Sequence, residues 1–111
     1  MTRPILVLAV LLALTGTACV GLDDAKKCAE GTGDAELDID YCTRGIDSGN
    51  LSKRDLGATF NNRGNAYADK GEYGLAIADF DQAIRLKPDY ALALANKGMA
   101  LDDKARILAT A

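Results

Sequence analysis

The chain has 111 residues, of which 49% are hydrophobic, and its few aromatic residues include no tryptophan. This composition favours a small all-α fold whose core is built from alanine, leucine and isoleucine. The net charge of −3 argues against nucleic acid as a partner, and the absence of histidine excludes imidazole bases, Ser–His and Cys–His pairs and histidine-containing metal sites. Because the sequence also has no phosphate loop, nucleophile elbow or CxxC pair, we expect no catalytic residues, no metal, no cofactor and no enzymatic activity.

Residues 1–18 have the order of a secretory signal peptide. Arg3 precedes an uninterrupted apolar run over residues 5–14, and small residues follow it up to Ala18. The run is shorter than the roughly 20 residues that a membrane-spanning helix needs. We therefore expect cleavage near Ala18 and an exported protein, periplasmic or extracellular. A buried core helix is the alternative, and the lack of a polar face argues against it.

Cys19 follows the signal segment and makes lipidation an alternative to ordinary cleavage. Small residues directly before a cysteine resemble a bacterial lipobox, but Gly16 stands where that motif usually has leucine. Lipidation of Cys19 and ordinary cleavage before it both remain open at this point. Lipidation would tether the protein to a membrane surface, and otherwise we expect no membrane contact beyond the signal.

Two cysteines in the next segment form an even pair once Cys19 is lipidated or removed. Cys28 and Cys42 lie 14 positions apart, and in an exported protein a disulfide is the simplest outcome. A reactive thiol or a metal ligand is the alternative, but no histidine or third nearby cysteine completes such a site. Asp34 is the expected N-cap of a helix that Gly49 stops, so residues 23–50 are predicted to form a disulfide-stapled helical hairpin. The predicted apolar stripe of that helix consists of Leu37, Ile39, Cys42 and Ile46.

Three further helices are indicated by caps, breakers and apolar periodicity. Ser52 begins a capping box and its helix runs to Lys70, where Gly71 stops it. A second amphipathic run ends at Pro88, and Asp89 is the expected N-cap of a last helix that starts at Tyr90. The apolar positions of the first two helices are Leu56, Phe60, Gly64 and Tyr67, then Leu75, Ile77, Phe80, Ala83 and Ile84. The last helix carries more apolar surface than a polar cap should expose, at Leu92, Leu94, Leu101, Ile107 and Leu108.

The sequence repeats itself after 34 residues. This shift places Asn62 on Asn96, Gly64 on Gly98, Ala66 on Ala100, Asp69 on Asp103 and Lys70 on Lys104. Upstream, residues 39–46 align with residues 77–84, which places Cys42 on Phe80 and Gly45 on Ala83 and suggests a degenerate first repeat.

A helix, a tight turn, a second helix and a terminal proline at this period resemble the tetratricopeptide repeat (TPR) family. The residues that carry the resemblance are Gly64, Tyr67, Ala76, Phe80, Ala83 and Pro88. Gly64 and Ala76 allow two helices to approach closely, and Tyr67 and Phe80 fill the groove between them. The resemblance implies antiparallel helical hairpins stacked as a short TPR solenoid, with a full repeat over residues 57–90 and a partial repeat or capping helix over residues 91–111. Arg63 departs from the pattern, because its position is usually apolar.

The family resemblance also implies a function. In such repeats the first helix lines a concave groove, and amide side chains there pair with the backbone of an extended peptide. The expected peptide-binding residues are Asn61, Asn62, Asn65, Asp69 and Asn96. We therefore expect a module that binds a protein or an extended peptide; the alternative for these residues is that they are ordinary surface amides. A second hypothesis is a self-assembling or envelope-organising structural protein, which associates with itself through its exposed last helix.

Overall fold

The computed structural model describes residues 21–110, so the predictions for the signal segment and for Cys19 lie outside the described residues. Five helices and no strand are found within this range. They are α1 (residues 21–30), α2 (Ala35–Asp47), α3 (Lys53–Asp69), α4 (Tyr73–Leu86) and α5 (Ala91–Thr110). The helices pack in chain order, α2 on α3, α3 on α4 and α4 on α5, and short turns join them. The predicted all-α fold of stacked helical hairpins is confirmed.

Two helix starts follow their predicted caps. The Asp34 carboxylate accepts hydrogen bonds from the backbone N–H groups of Glu36 and Leu37, at 3.0 and 3.4 Å. The Ser52 hydroxyl accepts one from the N–H of Asp55 at 3.1 Å. Each contact satisfies backbone donors that have no partner within the helix. The α3 helix ends where Gly71 adopts φ +78°, a conformation that glycine reaches without steric cost.

The start of α5 differs by one residue from the prediction. The helix begins at Ala91 rather than at Tyr90, and the carbonyl of Tyr90 accepts the hydrogen bond from the N–H of Leu94. The N–H of Tyr90 is itself turned back to the carbonyl of Lys87. This turn around Pro88 includes Asp89, so Tyr90 takes the capping position that the sequence assigned to Asp89.

The interface between α3 and α4 is built around a glycine and an aromatic ring. A Cβ atom added to Gly64 would lie 2.6 Å from Cε1 of Phe80, so only glycine allows this ring to lie against α3. Phe80 and Ala76 are buried together with Ala100 of α5, and Tyr67 packs against this cluster. Among the other two residues of the family pattern, Ala83 is fully buried on α4 and Pro88 is exposed in the turn before α5.

Two leucines predicted to be core residues are exposed instead. Leu75 of α4 is 51% exposed, and Leu37 of α2 is 40% exposed. The helices meet on small residues, such as Ala76 on α4 and Gly45 on α2, and this brings their axes close together. When two helices approach closely, only a narrow strip of each is buried. Longer side chains beside this strip lie at the edge of the helix–helix interface and stay exposed to solvent.

The first hairpin is joined covalently. Cys28 of α1 and Cys42 of α2 form a disulfide whose Cα atoms lie 4.9 Å apart, and both residues are buried. Gly45 lies against the backbone of Ala25, at the position that the internal alignment assigns to a small residue. The bond holds α1 beside α2, and α1 forms one wall of the surface described next.

Candidate functional site

A groove runs across α3 between α1 on one side and α5 on the other. It consists of three adjoining clefts, and the one between α3 and α5 has a volume of about 350 Å³. The cleft between α3 and the α1–α2 turn shares Asn65 and Asp69 with it. The cleft between α1 and the start of α3 in turn shares Ala29 and Asn62 with that middle cleft. Because neighbouring clefts share lining residues, they form one continuous groove, which we call the α3 groove.

Four of the five predicted binding residues line the α3 groove. Asn62, Asn65 and Asp69 come from α3, and Asn96 comes from α5. None of the three α3 side chains forms a hydrogen bond or ion pair with another described residue. Their spacing of three and four residues places them along one side of the helix. The donors and acceptors of these three side chains therefore face the groove without a partner among residues 21–110.

The fifth predicted residue, Asn61, does not belong to the groove, and the prediction for it was wrong. Its side chain is fully buried, and its Oδ1 accepts a hydrogen bond from Nδ2 of Asn96 at 3.1 Å. Successive residues of a helix point about 100° apart, so Asn61 and Asn62 cannot both face the same surface. Asn61 instead connects α3 to α5 and fixes the position of the Asn96 amide, whose nitrogen donates this hydrogen bond.

The groove is acidic in the two clefts that adjoin Asn65. Asp38 lines the cleft at the α1–α2 turn, Asp103 lines the cleft at α5, and Asp69 lines both. No lysine or arginine is among the described residues that line these two clefts. Since uncompensated carboxylates raise the local negative potential, the groove attracts positively charged groups. The sequence analysis named Asp69 as a peptide-binding residue, but it did not recognise Asp38 and Asp103 as its neighbours.

Residues 57–90, from the second turn of α3 to the turn before α5, match the family model of the tetratricopeptide repeat. The chain contains a tetratricopeptide repeat. The resemblance inferred from the sequence is thereby confirmed for this range. TPR repeats generally bind proteins or peptides, so the chain carries a protein-interaction fold. No curated protein and no solved structure matches the chain significantly.

The unusual arginine of the TPR has a buried partner that the sequence analysis missed. Arg63 donates two hydrogen bonds to the carboxylate of Asp79, both at 2.8 Å, and a third to the hydroxyl of Thr43 at 3.2 Å. The hydrogen bond to Asp79 raises the pKa of Arg63 above its ordinary value, so the guanidinium stays charged under all usual conditions. One side chain thus connects α3 with α4 and with α2. Lys97, one period later, likewise pairs with an acid of α4, Asp81, at 2.7 Å.

Within residues 21–110 no helix is both long and apolar enough to cross a bilayer. The same range holds no cluster of three or more cysteine, aspartate or glutamate residues suited to bind a metal ion.

Proposed function

We propose that this chain is a non-enzymatic module that binds an extended, positively charged segment of a partner protein in the α3 groove. The observation that carries the proposal is the row of Asn62, Asn65 and Asp69, whose side chains line the groove and pair with no residue of the described part of the chain. Asn62 is half-buried and Asn65 and Asp69 are exposed, so all three side chains can reach a ligand, whose donors and acceptors would replace water there.

The spacing of the row fits the backbone of an extended peptide. Side chains three and four residues apart on a helix are separated by about 4.5–6 Å along its axis. An extended chain advances by about 6.6 Å for every two residues, and each step presents N–H and C=O groups on the same side. Because an amide both donates and accepts, Asn62 and Asn65 can pair with such a backbone whatever the side chains of the ligand are.

The charge of the groove selects among extended peptides. Asp38, Asp69 and Asp103 lie along the two clefts that adjoin Asn65, and no basic residue lines either cleft. Asp38 already accepts hydrogen bonds from Thr32, at 2.7 and 2.8 Å, which leaves Asp69 and Asp103 as the main partners for lysine or arginine side chains of the ligand. We therefore expect basic segments to bind more tightly than acidic ones.

Fluorescence polarisation with two pools of labelled decapeptides tests the proposal. The pools are identical except that the lysine and arginine positions of one are glutamate and aspartate in the other. We expect the basic pool to bind, and we expect Asn65→Ala or Asp69→Ala to weaken its binding about fivefold each, since each variant removes about one net hydrogen bond.

Gln82→Ala is the matched control for the groove variants. Gln82 lies on α4 and lines none of the three clefts, so its replacement should leave binding unchanged. Equal binding of the two pools would contradict the charge selection. Binding that is insensitive to both groove variants would show that the groove is not the binding site.

The proposal includes a location outside the cytoplasm. It is supported by the signal-like order of residues 1–18 and by the Cys28–Cys42 pair, because disulfides persist in oxidising compartments. Whether the module is free or is tethered through a lipidated Cys19 decides which partners it can reach. A tethered module would bind only partners that come within a short distance of the membrane.

A further inference from the structure

The last helix carries a second surface, which does not overlap the α3 groove. α5 packs on α4 through Ala93 and Ala100, and it contributes Asn96 and Asp103 to the groove. On its remaining side, six exposed residues follow one another at spacings of three and four. We call them the α5 seam: Ala91, Leu94, Gly98, Leu101, Ala105 and Leu108.

The α5 seam is the counterpart of a surface that is already used within the TPR. Shifted by 34 residues, Leu94, Gly98 and Leu101 correspond to Phe60, Gly64 and Tyr67 of α3. In α3, Gly64 receives the ring of Phe80 from α4. At Gly98 an added Cβ would meet no atom within 4 Å, so none of the described residues fills the equivalent place on α5. The seam therefore has the form of a helix-binding face that no helix within residues 21–110 covers.

The order of residues in the seam points to the occupant. A spacing of alternately three and four residues is the repeat of a two-helix coiled coil. Here one position of the repeat is always small (Ala91, Gly98, Ala105), and the other is always leucine (Leu94, Leu101, Leu108). A helix that binds this seam must present a small residue opposite each leucine and a large residue opposite each small one.

We propose that a second copy of this chain binds the seam, with the two α5 helices antiparallel. When Gly98 lies opposite Leu101 of the second copy, Ala91 lies opposite its Leu108 and Leu94 lies opposite its Ala105. The two-fold axis repeats these three pairs with the two copies exchanged, which gives the other three layers. In all six layers a small residue then contacts a leucine. The same face of each copy therefore fits the same face of the other, as two-fold symmetry requires. A parallel pair would instead place leucine on leucine and glycine on glycine, which leaves gaps.

The length of the seam sets the strength of the contact. It extends over 18 residues, or about 27 Å, which is short for a coiled coil of free helices. In this protein α5 is already held as a helix by its packing on α4, so association does not have to order the chain. We expect a dimer that forms reversibly in the micromolar range.

Charges beside the seam make the dimer sensitive to salt. In the antiparallel register Lys97 approaches Lys104 of the second copy, and the pairing of Lys97 with Asp81 at 2.7 Å neutralises only part of this repulsion. On the opposite flank Asp102 is paired with Arg106 within the helix at 2.9 Å. Screening therefore removes a net repulsion, and the dimer should strengthen when salt is raised from about 0.05 M to about 0.5 M.

Sedimentation equilibrium of the purified protein tests the proposal. We expect the average mass to rise from monomer to dimer as the concentration increases from about 1 µM to about 500 µM. Leu101→Asp should weaken the dimer at least tenfold, because it places a carboxylate in the central layers of the seam. Leu92→Asp is the matched control: Leu92 is 56% exposed and Leu101 48%, but Leu92 lies off the seam. Because both side chains are largely exposed, circular dichroism should show both variants folded.

Crosslinking tests the direction of the helices in a Cys19→Ser background. A mixture of Ala91→Cys and Leu108→Cys proteins should form a disulfide between the two variants, whereas each variant alone should not crosslink with itself.

A protein that is monomeric at all concentrations would overturn the proposal, as would equal effects of Leu101→Asp and Leu92→Asp. Self-crosslinking of the single variants would overturn the antiparallel register. Peptide binding in the α3 groove should survive Leu101→Asp, so failure of the dimer and failure of the groove are distinguishable.

Discussion

At the scale of single residues, two polar side chains connect the helices of this module: Asn61, which is buried, and Arg63, which is half-buried. Asn61 bonds to Asn96 and thereby joins α3 to α5. Arg63 bonds to Asp79 and Thr43 and thereby joins α3 to α4 and α2. Polar contacts of this kind have strict geometry, so they fix the relative positions of helices that otherwise meet through small apolar residues.

The Arg63–Asp79 pair leads to a prediction about stability. Arg63→Met should lower the free energy of unfolding by about 3 kcal/mol, because it leaves the Asp79 carboxylate, 7% exposed, without its partner. The double variant Arg63→Met, Asp79→Leu should recover most of this loss, since it removes the uncompensated charge as well. Urea denaturation followed by circular dichroism measures all three proteins.

An exposed ion pair serves as the control for this prediction. Arg44 and Asp40 lie one turn apart on the surface of α2 and contact each other at 2.7 Å. Arg44→Met should change the stability by no more than about 0.5 kcal/mol, because solvent screens such pairs. Similar losses for Arg44→Met and Arg63→Met would contradict the role assigned to the buried pair.

At the scale of helices, the first hairpin depends on its disulfide. α1 and α2 meet through Gly45 and the Cys28–Cys42 bond, and α1 forms one wall of the α3 groove. Closing a loop of 14 residues stabilises the folded state by about 3 kcal/mol, which corresponds to several degrees in Tm for a chain of this size. We expect reduction, or replacement of both cysteines by alanine, to lower the Tm by this amount.

The same treatment should also affect binding. Loss of the disulfide allows α1 to separate from α2, so the two clefts that contain Ala29 and Asn62 should each lose one wall while the cleft between α3 and α5 remains. Calorimetric melts and peptide binding with and without reductant measure both effects. An unchanged melt under reducing conditions would show that the bond does not stabilise the hairpin.

At the scale of the whole molecule, each helix pair of a solenoid contacts only its neighbours in the chain. The contacts follow this pattern, with α3 and α5 touching only weakly across the groove. No described residue covers the groove face of α1, α3 and α5, which we propose to bind a ligand, or the seam face of α5, which we propose to bind a second copy. The two surfaces belong to opposite sides of α5, so a dimer would leave both grooves accessible.

Export of the chain is a prediction for the whole molecule. The intact mass of the protein, purified from its native cells under non-reducing conditions, should correspond to a chain that starts at or near Cys19. Reduction and alkylation should then reveal two thiols, those of Cys28 and Cys42. Added acyl mass would identify a lipidated, membrane-tethered form, and its absence would identify a free one. A chain that retains Met1 and has free thiols would contradict export.

The sequence by itself determined the features of this protein that depend on near neighbours in the chain. Caps such as Asp34 and Ser52, the stop at Gly71 and the period that identifies the TPR are encoded within a turn or a repeat, and each is readable without a fold. The pairing of Cys28 with Cys42 followed from cysteine number and the expected compartment. The proposed binding residues Asn62, Asn65 and Asp69 were named in the same way, as part of a polar row on a predicted helix.

Only the tertiary structure decided which side of α3 each asparagine faces, because that depends on where α5 lies. The burial of Asn61, the exposure of Leu75 and the partner of Arg63 all follow from how closely, and at what angle, the helices approach one another. The acidic character of the groove has the same origin, since Asp38, Asp69 and Asp103 come from three different helices. These features arise between residues that are distant in the chain, and local sequence rules carry no information about such distances.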